Sequence, residues 1–278
     1  MKCLILAAGY ATRLYPLTEN FPKPLLKVGE KTILDWLVDD IAKSDVDTFI
    51  VISNHKFAHH FEAWANAKDF AEKAFSEKVS AAENSAAAEA VVSGNGSSEA
   101  AGRAGIVVLD DGTDSNESRL GAVRDIQYAI DTLKLDDDLL VIAGDNVLDF
   151  SLCRFVDYAR EKGTSCTMRY FESELRVLQK SGISQVSEEE VLLSLEEKPK
   201  EPRSNWCTPP FYIYKASDVG LVKVGIESGC GVDAPGSFIA WLSSVTPVHA
   251  YEMPGKRYDI GNLQSYEDVK NSYRGIER

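Results

Sequence analysis

The chain has 278 residues, 44% hydrophobic and 26% charged, an ordinary globular composition that excludes wholesale disorder, collagen and a long coiled coil. Thirty Lys and Arg stand against 43 Asp and Glu, a net charge of −13, which argues against the basic face nucleic acid requires and against binding an anionic membrane. The five cysteines, Cys3, Cys153, Cys166, Cys207 and Cys230, are odd in number and scattered without a C-x-x-C, so reduced buried thiols in a cytoplasmic protein are expected.

Leu4–Ala7 is a continuous apolar run, the pattern of a buried parallel strand. It is too short for a signal-peptide core, and no stretch reaches the ~18 apolar residues of a membrane span. A glycine-containing loop follows from Gly9 to Pro24. The spacing then predicts a helix over Ile33–Ser44, with Thr32 as its N-cap, a strand over Thr48–Ser53 and a helix from about Lys56. A strand at Ile106–Leu109, a helix at Leu120–Leu133 and a strand at Leu139–Ala143 complete the first half. Strands alternating with helices imply βαβ units and a mostly parallel sheet covered on both faces.

The second half is less regular. Strands are expected near Ser165–Phe171, Val191–Glu196, Phe211–Tyr214 and Val248–Tyr251, with helices near Asp218–Glu227, Ser237–Ser244 and Gln264–Tyr273. It reads as a smaller lobe continuous with the sheet. Between Ala71 and Gly105, 26 of 35 residues are Ala, Ser, Glu or Gly. That composition reads as an insertion, a helical extension followed by a flexible Gly94–Gly102 loop, without chemistry of its own.

Four motifs carry chemistry. The first, Leu6-Ala7-Ala8-Gly9-Tyr10-Ala11-Thr12-Arg13, leaves the end of the first strand and is followed by Pro22-Lys23-Pro24. A loop there lies where α/β sheets bind ligands. Small residues admit a nucleotide close to the backbone, Arg13 offers a fork of donors to phosphate, and Lys23 a point charge. The dinucleotide fingerprint and the Walker A loop are both absent. The second motif is Gly144-Asp145-Asn146 at the end of a buried strand, where a hard carboxylate suits Mg²⁺ bridging phosphates. The third is Glu196-Glu197-Lys198-Pro199, a cation for a second phosphate beside a carboxylate for hydroxyls. The fourth is Arg257-Tyr258-Asp259, a source of a second metal carboxylate. Each has a bland counterpart: a surface loop with two solvated cations, a turn Asp, a charged strand end, a helix-entry Asp. His55, His59 and His60 lack a third ligand cluster, so zinc is not expected.

In this order and spacing the motifs resemble the sugar-phosphate nucleotidyltransferases, the family of glucose-1-phosphate thymidylyl- and uridylyltransferases. The resemblance spans the chain outside the 71–105 insert. It implies a Rossmann-like α/β fold of the nucleotide-diphospho-sugar transferase type, a single domain over 1–278. Residues 1–150 would form its nucleotide half and 151–278 its acceptor half with a smaller sugar-binding lobe. It also implies residue roles. Arg13 and Lys23 would bind the triphosphate and, with Asp145, serve catalysis. Ala7, Ala8, Gly9, Tyr10, Ala11, Thr12, Asp111, Gly112, Gly121 and Gly144 would line the nucleotide. Asn146, Glu197, Lys198 and Tyr212 would meet the acceptor, and Asp145 with Asp259 would hold Mg²⁺.

Three departures stand out. Ala11 replaces the second glycine of the loop. Thr208-Pro209-Pro210 removes backbone donors on the acceptor side. The Gln-containing base-reading loop has no counterpart, the nearest segment being Leu109–Thr113 running on to Arg119–Ala122. Base and acceptor therefore stay open.

The expected reaction is Mg²⁺-dependent transfer of a nucleotidyl group from an NTP to a sugar 1-phosphate, with release of pyrophosphate. A non-sugar acceptor such as phosphocholine, and a catalytically silent sugar-nucleotide-binding regulator, are the alternatives. A homo-oligomer is compatible with any of these.

Overall fold

In a computed structural model, which describes residues 1–68, 91–92 and 105–276, the apolar run near the start of the chain becomes strand β1 (Lys2–Leu6). A hairpin of β2 (Lys27–Val28) and β3 (Lys31–Thr32) leads into helix α1 (Ile33–Ile41), then β4 (Thr48–Ser53) and α2 (Ala58–Ala67). Next come β5 (Val91–Val92), β6 (Gly105–Asp110), α3 (Ala122–Leu133), β7 (Leu139–Ala143), β8 (Asn146–Leu148) and α4 (Cys153–Lys162). The second half opens with β9 (Ser165–Phe171), α5 (Leu175–Leu178), β10 (Gly182–Val186), β11 (Leu192–Glu197), β12 (Trp206–Thr208) and β13 (Phe211–Tyr214). It closes with α6 (Ala216–Val219), α7 (Leu221–Glu227), α8 (Gly236–Leu242), β14 (Val248–Glu252), β15 (Arg257–Asp259) and α9 (Leu263–Ser272).

Strands β7, β1, β4 and β6 lie side by side and parallel, with Leu6 beside Ile52 and Ala143, and Ser53 beside Asp110. Their carboxyl ends are flush. The segments that start at Ala7, Asn54, Asp111 and Gly144 therefore leave the sheet along one edge, the edge at which open α/β sheets bind ligands. Beyond β7 the sheet continues in antiparallel pairs, β7·β13, β13·β9, β9·β12, β12·β10 and β10·β11. Strand β14 alone runs parallel to β9 there. The parallel reading thus holds for the central block of the first half, and the second half is built mainly from antiparallel strands, which need only short connections.

Alternate residues of a strand face opposite sides, and two cores result. Cys3 and Ile5 pack with Leu34 and Leu37 of α1, Phe61 of α2 and Phe155 of α4. Leu4 packs on the other face with Val123 and Ile126 of α3, Val222 of α7 and Phe238 of α8. Each fully buried aliphatic or aromatic side chain contributes about 1.5–3 kcal/mol. At the start of α1, Thr32 Oγ1 accepts from the Asp35 N–H (2.9 Å) and Asp35 accepts from the Thr32 N–H (3.0 Å), a reciprocal cap that confirms the predicted helix start.

Several boundaries differ from the expectations. Helix α1 stops at Ile41, the helix expected from Lys56 starts at Ala58, and that expected at Leu120 starts at Ala122. The helix expected over Asp218–Glu227 is two pieces, α6 and α7, that meet at Gly220. Helix α4 has no counterpart in the sequence reading: it is strongly charged, and its buried stripe is only Phe155, Val156 and Ala159. Strands β10 and β12 are also additions. The helix and flexible loop expected within 71–105 lie outside the described residues, apart from β5, which pairs antiparallel with β6 at the sheet edge. All five cysteines are free, as expected, and burial pushes the Cys166 thiol up to about 12. Among the described residues no helix is long and apolar enough to cross a membrane.

Candidate active site

The loop after β1 is held from below. The fully buried Asn54, at the end of β4, donates from Nδ2 to the Ala8 carbonyl (2.9 Å) and accepts from the Phe57 N–H (3.0 Å). Ala7 is buried, whereas Gly9, Thr12 and Arg13 are exposed. Ala11 has φ 46° and ψ 39°, the left-handed region, and caps a short turn over Thr12–Leu14. Thr18 donates from Oγ1 to the Ala11 carbonyl (2.8 Å) and fixes that conformation. A glycine would accept it freely; alanine does so at a cost of about 1–2 kcal/mol. The departure noted in the sequence is therefore a strained backbone as well as an added methyl.

Lys23 lies in a turn between Pro22 and Pro24 and is 7% exposed. Its Nζ donates to Asp145 Oδ2 at 2.7 Å. Gly144 is where the turn after β7 crosses β1, and a Cβ there would stand 2.9 Å from Ile5 Cγ2. The Asp145 side chain remains 46% exposed toward the cleft. Burial opposes its ionisation, but the charge and hydrogen bond of Lys23, and then Arg257, outweigh that and hold its carboxyl below the usual range. Strand β15 pairs antiparallel with β8, with Asp259 opposite Asn146. This brings Asp259 onto the strand beside Asp145, although 114 positions later in the chain.

Two site residues depart from expectation. Asn146, expected to face the acceptor, is 2% exposed. Its Nδ2 donates to the Ala143 carbonyl (2.9 Å) and its Oδ1 accepts from Arg257 Nη1 (3.0 Å). Both ends of the amide are engaged, so it is a bracket that fixes Arg257. Tyr10 is also buried, against Phe57, and its hydroxyl donates to the Thr113 carbonyl (3.0 Å), tying the β1 loop to the β6 loop. Arg257 itself was not read as functional, although it belongs to the fourth motif. After Lys23 it is the second cation acting on Asp145.

On the β6 side, Asp111 Oδ1 accepts from both the N–H and the hydroxyl of Thr113 at 2.7 Å. Burial, opposed by those bonds and helped by Asp110, raises its pKa. Gly112 is exposed and donates its N–H to Asp110 Oδ1 (2.8 Å). Gly121 has φ 92°, and a Cβ on it would meet the Val232 carbonyl oxygen at 2.6 Å. It is wedged against Val232 and Asp233 at the entry to α3.

On the acceptor side, Glu197 ends β11 and Lys198 follows it, exposed, with φ 49°. Burial raises the Glu197 carboxyl despite the neighbouring charge of Lys198. Tyr212, in β13 next to β7, is 2% exposed, and its hydroxyl is pushed up first by burial and then by Glu197. Arg257 acts electrostatically on both Asp145 and Tyr212, so the two groups share one field.

No cluster of three or more His, Cys, Asp and Glu able to hold a metal occurs among the described residues. His55 pairs with Asp110 (2.6 Å) and His60 with the Asn20 carbonyl (3.0 Å). Asp145, in the turn before β8, and Asp259, on the strand paired with β8, are the carboxylates that would serve a hard divalent ion drawing its remaining ligands from phosphate and water.

The sheet, covered on both faces, carries its conspicuous charged groups at the strand-end edge where α/β proteins bind ligands. The family model for nucleotidyl transferases matches residues 2–275, and the chain belongs to that family. It is 25% identical over 268 residues to a UTP–glucose-1-phosphate uridylyltransferase of Synechocystis sp., with 96% of this chain and 61% of that protein covered. It is 24% identical over 278 residues to a glucose-1-phosphate adenylyltransferase of Fervidobacterium nodosum, with 95% of this chain and 59% of that protein covered. The chain thus spans about three fifths of the length of these relatives. Among solved structures it resembles a UDP-glucose pyrophosphorylase complexed with UDP-glucose (TM-score 0.74, 19% identity, 98% of this chain and 97% of that one). It also resembles a UTP-bound enzyme of the same kind from Acinetobacter baumannii (TM-score 0.72, 16% identity, 98% and 92%). These likenesses establish the nucleotide-diphospho-sugar transferase fold.

Proposed function

We propose that this chain transfers a nucleotidyl group from an NTP to a sugar 1-phosphate and releases pyrophosphate. The observation that carries the reading is the half-exposed Asp145, ion-paired to the buried Lys23 at the ligand edge of a parallel sheet, with Asp259 on the paired strand. A phosphate monoester oxygen attacks the α-phosphorus in line; the new P–O bond forms as the α–β bridging P–O bond breaks, and the electron pair leaves with pyrophosphate. The attacking oxygen is already anionic, so no side chain has to act as a general base. The work is to bring two polyanions together and neutralise them.

Arg13 and Lys23 hold the triphosphate. Lys198 meets the acceptor phosphate, and Glu197 accepts from its hydroxyls. Asp145 and Asp259 would hold Mg²⁺, which when bound supplies further charge neutralisation on the phosphates. Asp145 is ionised throughout the neutral range because Lys23 and Arg257 keep its carboxyl low. Asn54 and Tyr10 set the β1 loop before substrate arrives, which limits the ordering cost on binding.

The relatives named above differ in the base they transfer, so the deciding experiment is a matrix of NTPs against acceptors, scored by pyrophosphate release. Turnover with a sugar 1-phosphate supports the reading. Turnover confined to phosphocholine transfers it to a non-sugar acceptor. Nucleotide binding without turnover for any acceptor overturns it in favour of a regulatory role.

A further inference from the structure

The carboxylate of Glu197 sits in a slot between two glycines. A Cβ on Gly182 of β10 would stand 3.3 Å from Glu197 Oε1. A Cβ on Gly236, the first residue of α8, would overlap that same oxygen and stand 3.1 Å from the Tyr212 hydroxyl. Among the described residues nothing hydrogen-bonds the Glu197 carboxylate; Lys198 acts on it only through its charge. The carboxylate is therefore aimed by shape alone, and its accepting capacity is unspent.

Gly236 has no freedom to retreat. Behind it, Phe238, Ile239 and Leu242 of α8 are fully buried. Ahead of it, the segment 232–236 is pinned to the nucleotide half. The Val232 and Asp233 carbonyls accept from the Val123 and Ala122 N–H groups (3.0 and 3.3 Å), and Asp233 pairs with Arg119 at 2.7 Å. The strap thus runs from the entry of α3 to the Glu197 slot in a few residues.

We propose that Gly236 is a positioning residue for the acceptor: the bare backbone at this point gives the Glu197 carboxylate the one orientation in which it accepts from the hydroxyls of a polyol phosphate. This rests on the nucleotidyl-transfer reading above. A methyl at 236 displaces Glu197, so G236A weakens acceptor use and leaves the triphosphate site, on the other side of β7, untouched.

The test is a double-mutant cycle with G236A, E197A and G236A/E197A. Pyrophosphate release is followed at varied sugar 1-phosphate and at varied NTP, beside NTP affinity and thermal unfolding. Misdirecting a charged acceptor of hydrogen bonds raises the acceptor KM about ten- to hundredfold in G236A, with the NTP KM within about twofold. Truncating Glu197 empties the slot, so the double variant matches E197A in acceptor KM and in Tm. Effects that add instead show that Gly236 acts independently of Glu197 and overturn the proposal. Should G236A alone fail to fold, a double variant that folds like E197A supports the contact, and one that also fails overturns it. A wild-type chain silent with every acceptor overturns the enzymatic reading and this proposal with it, whereas an active wild type indistinguishable from G236A overturns this proposal alone.

Discussion

Asp125 gives the sharpest quantitative prediction. It lies in the first turn of α3, is 6% exposed, and its Oδ1 is buried without a hydrogen-bond partner. Burial, and then the nearby Asp111, raise its carboxyl from 3.8 to about 7. The folded chain therefore keeps a proton that the unfolded chain has already lost between these two values. Stability falls as pH rises through that window, and the full cost is present above about pH 7. At 1.36 kcal/mol per pH unit the ceiling is about 4 kcal/mol, less whatever the site relaxes by reorganising. D125N keeps the shape and removes the titration. At pH 8.5 the variant is predicted to be more stable than wild type by about 2–4 kcal/mol, a rise in Tm of several degrees; near pH 4 the two are predicted to coincide. Urea or thermal unfolding across this range measures the difference directly. Wild-type and D125N stability curves that run parallel from pH 4 to 8.5 would refute the assignment of a strained, protonatable Asp125.

The other predictions concern the cleft. D145N is predicted to lose about 10³-fold in turnover, the scale of removing one preorganised charge contact, and to lower Tm as well, because it leaves the buried Lys23 without its carboxylate partner; unchanged steady-state rates would remove Asp145 from the chemistry. A11G relieves the left-handed alanine at the cost of a more mobile unfolded chain, for a net gain of about 0.5 kcal/mol, and a loss of 1 kcal/mol in chemical denaturation would show that the methyl packs favourably. For acceptor use, kcat/KM is predicted to fall on the acid side at a pH above that of an ordinary glutamate, since burial raises Glu197 and its protonated form no longer accepts from hydroxyls. E197Q abolishes that limb; a limb that survives in E197Q would assign it to another group.

Much of this architecture follows from short-range pattern. The apolar runs at Leu4–Ala7, Thr48–Ser53, Ile106–Leu109 and Leu139–Ala143 read as strands buried on both faces, and their alternation with helices points to a mostly parallel sheet. The ends of parallel strands define a ligand edge, so the glycine-containing loop, Lys23 and Asp145 are legible from the sequence as a candidate site. The charge-poor stripe of α4 and the short strands β10 and β12 were not, because a few buried residues in a charged or irregular segment fit several local conformations equally well.

What the chain order could not disclose is which distant groups meet. Asn146 reads as a substrate ligand until Arg257, 111 residues away, engages its side chain. Gly236 looks like an ordinary loop glycine until α8 brings it against Glu197, and Asp125 looks like a helix-capping acid until packing strips its water. Hydrophobic periodicity is written locally and survives in the sequence; the aim of a carboxylate and its proton affinity depend on the dielectric and the neighbours that only the folded chain assembles.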